Sequence, residues 1–360
     1  MKILFVHLLN NYTGSPRILR SIIEVCNKSN KVSLITSKTD GILSNIENIS
    51  TYDNGYRWSN NRIKLNFFFI YSQIKIFLFV IFHNFDLIYI NTVLPFGASL
   101  AARIKRKKII YHVHEIYINP GFVKRLYYKI MLKTANKIIC VSKYVQDNLP
   151  RTNIHCKTVY NSIEMHDFIN INLDEYLLKK FNNRIIFMPT SLKDYKGVDR
   201  FVELARHMPE YNFHLLCSVS IDDMNNYFSD TKLPDNLVLE GKKPDIFNDY
   251  CESAITMNLT LYDKCIETFG LTIVEGFDTF TPAIAPNYGG PKEIINNGKD
   301  GFLIDPYDID SIEESIKRIL LNFDTYKNYA INAKKSAQFF NKDLFISNIK
   351  EVVLSMENDK

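Results

Sequence analysis

Short apolar runs rich in β-branched and aromatic side chains alternate along the chain with longer stretches in which apolar residues recur every three or four positions. That alternation is the pattern of βα units built on a parallel sheet. In the first half it predicts strands near 2–9, 31–37, 86–91, 108–114, 137–142 and 157–161, with helices near 16–28, 66–82, 95–105 and 121–135. Pro16 suits the first turn of a helix, where its missing N–H costs nothing. A second series begins at Arg184 with Arg-Ile-Ile-Phe-Met-Pro-Thr-Ser. It predicts strands near 213–218, 237–240, 255–260, 282–286 and 302–305, and helices near 198–207, 246–253, 270–279, 309–321, 324–338 and 342–356. Residues 165–183 read as the junction, and no longer repeat is visible beyond the βα alternation.

A chain of 360 residues is too long for one ordinary core. It suits two α/β domains, here 1–165 and 166–340, each Rossmann-like, with a helix in 341–360 returning toward the first domain. Two such domains imply a cleft.

Composition narrows the class. Apolar residues make up 46% and charged residues 23%, a globular balance with no disordered tract to set aside. A formal charge of +5 fits phosphate-bearing ligands or an anionic surface without requiring nucleic acid, and no nucleic-acid module is recognisable. Six scattered cysteines without Cys-x-x-Cys spacing argue against a zinc site or a disulfide framework, so a reducing cytosol is expected. The opening Met-Lys-Ile-Leu-Phe-Val reads as a first strand, not a signal peptide. The most apolar stretch, 66–82, is interrupted by Gln73 and Lys75 and is short for a membrane span, so it reads as a buried or groove-facing helix, with interfacial membrane contact as the alternative. Basic residues cluster at 105–108 and 124–133; the second cluster, which mixes cations with Tyr, Leu, Ile and Met, reads as a solvated helix face and also has the form of a membrane-surface helix.

The segment Glu267-Thr-Phe-Gly-Leu-Thr-Ile-Val-Glu275 is the most informative for chemistry. If Gly270 opens a helix, Glu275 lies in its early turns and Glu267 in the loop before it. The N–H groups of Gly270, Leu271 and Thr272 at that end then form a site for phosphate. One carboxylate, Glu275, can accept both hydroxyls of a ribose. The bland alternative is two solvated glutamates. Upstream lies Lys193-Asp-Tyr-Lys196-Gly197, a lysine–glycine pair after the first strand of the second series. In the first half, Gly14-Ser15-Pro16 forms a small-residue loop before a helix, open to close approach by a ligand, with Arg17 beyond it. There is no Gly-x-Gly-x-x-Gly to support a nicotinamide or flavin site. Tyr111-His112-Val-His114-Glu115 ends a strand, where α/β folds bind ligands. Alternation puts His112 and His114 on one face, but no further group with metal spacing accompanies them. Asp308-Ile-Asp310 has the form of a metal-binding Asp-x-Asp, yet Asp310-Ser-Ile-Glu313 reads as a helix cap; Asp222-Asp223 falls in a polar loop.

Together with Asn287-Tyr-Gly-Gly-Pro-Lys-Glu293, Gly298-Lys-Asp-Gly301-Phe-Leu-Ile, Ile138-Ile-Cys-Val-Ser142 and Val159-Tyr-Asn161-Ser-Ile-Glu164, these segments resemble glycosyltransferase family 4 over most of the chain. The resemblance implies the GT-B fold, two Rossmann-like domains facing a central cleft. It implies a retaining, metal-independent transferase with no cofactor. The donor would be a UDP- or GDP-linked sugar bound by the second domain, and the acceptor a saccharide or lipid-linked saccharide bound by the first. By the same resemblance Gly14, Ser15, Ser191, Lys196, Gly270, Leu271, Thr272 and Glu275 bind the donor, and His114, Lys196 and Glu267 serve the reacting centre. Ser191 stands where the family usually has an arginine, so Lys193 or another cation compensates, or diphosphate binding leans on Lys196 and backbone amides. The family setting points to bacterial surface polysaccharide, O-antigen or capsule, made in the cytoplasm at the inner membrane face with peripheral membrane contact. A sugar-nucleotide epimerase and a catalytically silent partner subunit of the same architecture are the rival readings.

Overall fold

The computed structural model describes residues 1–117 and 121–358, so the last two positions of the expected carboxyl-terminal segment lie outside the described residues. The chain divides into two compact units, Met1–Asn161 with Asp343–Lys360, and Ser162–Lys342.

The first unit holds the strands β1 (Lys2–Val6), β2 (Lys31–Thr36), β3 (Ser50–Asp53), β4 (Leu87–Asn91), β5 (Lys108–Val113), β6 (Lys137–Cys140) and β7 (His155–Thr158). All pair in parallel in the order β3-β2-β1-β4-β5-β6-β7. Its helices are α1 (Gly14–Asn27), α2 (Arg62–Phe82), α3 (Phe96–Ile104), α4 (Phe122–Thr134) and α5 (Lys143–Asp147). The central strands are buried on both faces, which is why they read as continuous apolar runs. Strand order reverses between β1 and β4, and ligands of such sheets bind beyond the carboxyl ends at that point.

The second unit runs through α6 (Leu173–Asn183), β8 (Ile185–Thr190), α7 (Val198–His207), β9 (Asn212–Cys217), α8 (Ile221–Tyr227), β10 (Leu237–Glu240) and α9 (Phe247–Glu252). It continues with β11 (Ile255–Met257), α10 (Leu271–Asp278), β12 (Ala283–Pro286), α11 (Pro291–Ile294), β13 (Gly301–Ile304), α12 (Ile309–Ile319) and α13 (Phe323–Ala337). Its parallel sheet has the order β10-β9-β8-β11-β12-β13, with the reversal between β8 and β11. Phe201 and Val202 of α7, Ile312 and Ile316 of α12 and Tyr326 of α13 pack with the strands into one core. The last helix, α14 (Lys342–Asn358), is tied to the first unit's sheet: Lys137 Nζ donates to Ser355 Oγ (2.7 Å), Lys157 pairs with Glu351 (2.7 Å), and Lys108 Nζ donates to the Met356 carbonyl.

Several expectations need correcting. The junction at 165–183 contains α6, capped by Asn172, whose side chain accepts from the Glu175 N–H. Asp222 and Asp223 are not in a loop but in the first turn of α8, where Ser220 and Asp223 form a capping box. The cap of α12 is Asp308, which accepts from the Ser311 N–H at 3.0 Å; Asp310 lies inside the first turn. Strand β11 stops at Met257 because the Asn258 side chain turns the chain, accepting from both the N–H (3.1 Å) and the hydroxyl (2.7 Å) of Thr260. Strand β3, short and largely exposed, carries too weak an apolar pattern to be seen in the sequence. Finally, α2 is not a buried helix: it presents a row of large apolar side chains to the outside.

Candidate functional site

In the second unit the carboxyl ends of β8 and β11 flank the reversal of strand order, and the loops leaving them carry the strongest candidates. Beyond β8, a single 3₁₀ turn, Asp194–Lys196, is closed by Gly197 at φ 74°. A Cβ at Gly197 would lie 2.3 Å from the Leu259 carbonyl, so the glycine lets this turn sit directly on the loop after β11. That contact sets Lys196 against Glu267: Nζ lies 2.8 Å from Oε2, and it also donates to Thr260 Oγ1 at 3.3 Å. Asn258 Nδ2 donates to the same carboxylate oxygen at 3.0 Å. Burial alone would lower the Lys196 pKa and raise that of Glu267. The opposite charge outweighs it, holding the lysine above its ordinary value and the carboxyl below. Both groups are therefore charged near neutral pH, and with 22% and 18% of their side chains exposed they stay within reach of a ligand.

The Glu267 backbone is fixed by the next turn. Its carbonyl accepts the Gly290 N–H at 2.9 Å, and Cβ atoms at Gly289 and Gly290 would fall 2.2 Å from the Glu267 carbonyl oxygen and 2.4 Å from Phe269 Cα. Two glycines here allow backbone to lie on backbone. Gly270, at φ 110°, then opens α10, so the N–H groups of Leu271 and Thr272 have no acceptor one turn back within the helix. Glu275 sits a turn further along α10 and accepts from the Tyr250 hydroxyl of α9 at 2.8 Å. Ser191 follows β8, its carbonyl accepting the Lys193 N–H at 2.8 Å, and the Lys193 side chain is exposed. The structure thus joins Lys196 to Glu267 and places both beside Gly270 and the start of α10, whereas Glu275 is held by a different neighbour.

Asn258, Thr260 and Tyr250 were missed in the sequence. The signal for the first two was a polar pair closing an apolar run, which alternation absorbed into a longer strand. Tyr250 carried none.

In the first unit the corresponding edge is organised by Asn91, the last residue of β4. Its Nδ2 donates to His7 Nδ1 (3.1 Å) and to the Ser15 carbonyl (3.3 Å), and its Oδ1 lies 2.9 Å from His114 Nε2. One buried amide therefore connects the loop after β1, the first turn of α1 that contains Gly14 and Ser15, and the end of β5. The sequence reading passed over it, although a polar residue ending Leu-Ile-Tyr-Ile-Asn is the available signal. His112 bonds the Tyr89 hydroxyl through Nδ1 (2.9 Å), and its ring centroid is 4.3 Å from that of His114. Burial lowers His112 to about 3 and His114 well below its ordinary value, so both are neutral. Glu115, whose Oε1 accepts the Val93 N–H at 3.1 Å, is raised by burial to about 7.

Among the described residues one group of side chains has metal-ligand spacing, His214, Glu240 and Asp249. It already surrounds a cation: Lys243 Nζ lies 2.9 Å from Glu240 and 2.6 Å from Asp249. The geometry of the second unit supplies a fixed ammonium, a carboxylate and the free end of a helix at one sheet edge, an arrangement suited to a phosphorylated ligand bearing hydroxyl groups.

Residues 13–166 match the family model described as Glycosyltransferase Family 4, and residues 172–336 that of Glycosyl transferases group 1. The chain is 24% identical over 275 residues to an uncharacterized glycosyltransferase of Methanocaldococcus jannaschii, covering 74% of each protein. It is 22% identical over 173 residues to the poly(glycerol-phosphate) alpha-glucosyltransferase of Bacillus subtilis, a match that takes in 47% of this chain and 25% of that longer protein. In structure it superposes on Anabaena HepE in complex with UDP-glucose with a TM-score of 0.80, covering 99% of this chain and 100% of the other at 20% identity, a likeness of fold.

Proposed function

The chain belongs to glycosyltransferase family 4, the glycosyl transferases group 1, and from that premise we propose that it is a retaining, metal-independent enzyme whose second unit binds a UDP- or GDP-linked sugar. The observation that carries this reading is the Lys196–Glu267 pair beside the start of α10. As the sugar–phosphate bond breaks, negative charge gathers on the diphosphate. The Lys196 ammonium and the N–H groups near Gly270, Leu271 and Thr272 stabilise that charge without moving, the role a divalent cation would otherwise fill. Glu267 keeps the ammonium in place and hydrogen-bonds the transferred sugar. Glu275, oriented by Tyr250, takes the ribose hydroxyls. The diphosphate leaves from the face the acceptor approaches, and its oxygen assists removal of the acceptor proton, so the anomeric configuration is retained and no carboxylate acts as nucleophile.

The first unit takes the acceptor, a glycan or lipid-linked saccharide of bacterial surface polysaccharide, in the cytoplasm at the inner face of the membrane. His114, neutral and held by Asn91, is suited to hydrogen bonding near the reacting centre, and Gly14 and Ser15 line the same edge. The test is incubation of a panel of nucleotide sugars with and without lipid extract, in excess EDTA. Acceptor-dependent release of nucleoside diphosphate under chelation supports the reading. Conversion of the sugar without acceptor would instead mark an epimerase, and no turnover with any donor a silent subunit.

A further inference from the structure

The long helix α2 is inside out for a protein in water. Its outward side carries Ile63, Phe67, Ile70, Ile74, Leu78 and Phe82, spaced by three or four positions into one stripe, with exposures from 45% at Leu78 to 81% at Ile63. The stripe is about 30 Å long at 1.5 Å per residue. Its inward side buries Ser72 and Gln73 with Ile76 and Val80. Gln73 Oε1 accepts the Gly97 N–H of α3 at 3.0 Å, and Gly97 lets the two helix backbones meet, since a Cβ there would lie 2.3 Å from the Gln73 carbonyl oxygen. The neighbouring helices extend the surface. Phe69, Phe96 and Tyr127 join α2, α3 and α4 with ring centroids 5.5 to 6.1 Å apart, and Leu100 and Ile104 of α3 and Phe122 and Leu126 of α4 are exposed beside them. An exposed apolar area of this extent marks an interaction site.

Charge identifies the partner. Leaving aside Lys75, which is paired inward with Asp53, the three helices carry seven lysines and arginines, two in α2, one in α3 and four in α4, and no acidic residue. We infer that this face of the first unit docks on an anionic lipid bilayer, with α2 lying along the interface. A second copy of the chain fits worse, because an isologous pairing would oppose two sets of cations with no acids between them. Although α2 has the length and composition of a membrane span, it cannot cross the bilayer in this fold. Lys75 is paired with Asp53, Phe79 packs on Tyr52 of β3 with centroids 4.5 Å apart, and Gln73 is bonded to α3, so its inner side is committed to the domain. The inference deepens the functional reading by giving the expected membrane contact a surface, and rests on that reading only for the lipid-linked acceptor.

The test is cosedimentation of the full chain with vesicles of phosphatidylcholine alone or with a third phosphatidylglycerol, with neither donor nor acceptor present, so its outcome is independent of transfer. Binding at least tenfold tighter to the anionic vesicles is expected. Combined Lys124→Gln, Lys129→Gln and Lys133→Gln should weaken it on the order of a hundredfold. Combined Ile70→Asp and Ile74→Asp should abolish it while leaving the unfolding temperature and donor binding unchanged; should that variant unfold, the lysine variant, confined to exposed side chains, decides. Equal binding to both vesicles, no binding at low salt, or a dimer in solution that the isoleucine variant dissociates would each overturn the inference.

Discussion

The Lys196 ammonium lies 2.8 Å from the Glu267 carboxylate although the residues are 71 positions apart, one leaving β8 and the other following β11, on the two sides of the reversal in strand order. Each holds the other charged against the effect of burial, so each has a consequence that the second glutamate, Glu275, does not share.

Glu275→Ala should therefore weaken donor binding, because it removes the carboxylate, held by the Tyr250 hydroxyl, that takes the ribose. Glu267→Gln should mainly slow transfer, since the amide keeps the shape but not the charge that fixes Lys196. A lost charge-assisted contact of roughly 1.5–3 kcal/mol corresponds to about ten- to a hundredfold in each case. Titration of donor separates the two effects, and parental binding and turnover in both variants would refute the assignment.

Much of this was legible in the sequence, for physical reasons. Sheets buried on both faces give continuous apolar runs, so the central strands of both units were found to within a few residues. The glycines at 197, 270, 289 and 290 mark turns that only close backbone packing or a left-handed φ requires, and they framed Lys196 and Glu267 in advance. What escaped was what depends on the third dimension. Asn91 and Asn258 are ordinary strand-end residues until their partners arrive from 23, 84 and 9 positions away. For α2 the sequence left a buried or groove-facing helix and interfacial membrane contact as alternatives, since an apolar helix that faces outward has the same composition as one that faces in.

Gly290→Ala isolates the close packing under Glu267. Its backbone is right-handed helical, at φ −62° and ψ −33°, so alanine meets no dihedral strain, but the added carbon would press on the 268–269 backbone. We expect a loss of about 1–3 kcal/mol in stability together with weakened stabilisation by nucleoside diphosphate in thermal shift. Gly298→Ala is the control: at φ 78° with open space around it, it should cost about 1 kcal/mol and leave nucleotide binding intact. Equal effects on binding would show that loop position under Glu267 is unimportant.

Stability should fall as the solution is made acidic, beginning above the usual carboxylate range. Burial lowers His7 to about 4 and His112 to about 3 from 6.5, so between 6.5 and those values the unfolded chain takes up protons that the folded chain does not. By pH 5 the two cost about 4 kcal/mol, and His114 adds in the same direction. Glu115 works oppositely. Raised to about 7, it is protonated in the folded chain from there down to its ordinary 4.5, which returns about 2.7 kcal/mol by pH 5. Thermal unfolding at pH 7.5 and pH 5 should show a moderate fall in the parent and a steeper one in Glu115→Gln. A parent that is as stable at pH 5, or a variant with a shallower fall, would contradict the neutral buried cluster.

The central claim is that Lys196, buttressed by Glu267, receives the charge of the departing diphosphate, and the direct measurement is donor turnover in Lys196→Ala beside Lys193→Ala. Lys193 is close in sequence but its side chain is exposed, whereas Lys196 is bound to Glu267 and Thr260. The account predicts a loss of about ten- to a hundredfold for Lys196→Ala and little change for Lys193→Ala. An equal loss in both would mean that the two cations share the diphosphate and that Lys193 replaces the arginine whose place Ser191 takes. A neutral Lys196→Ala with an inactive Lys193→Ala would contradict the site itself.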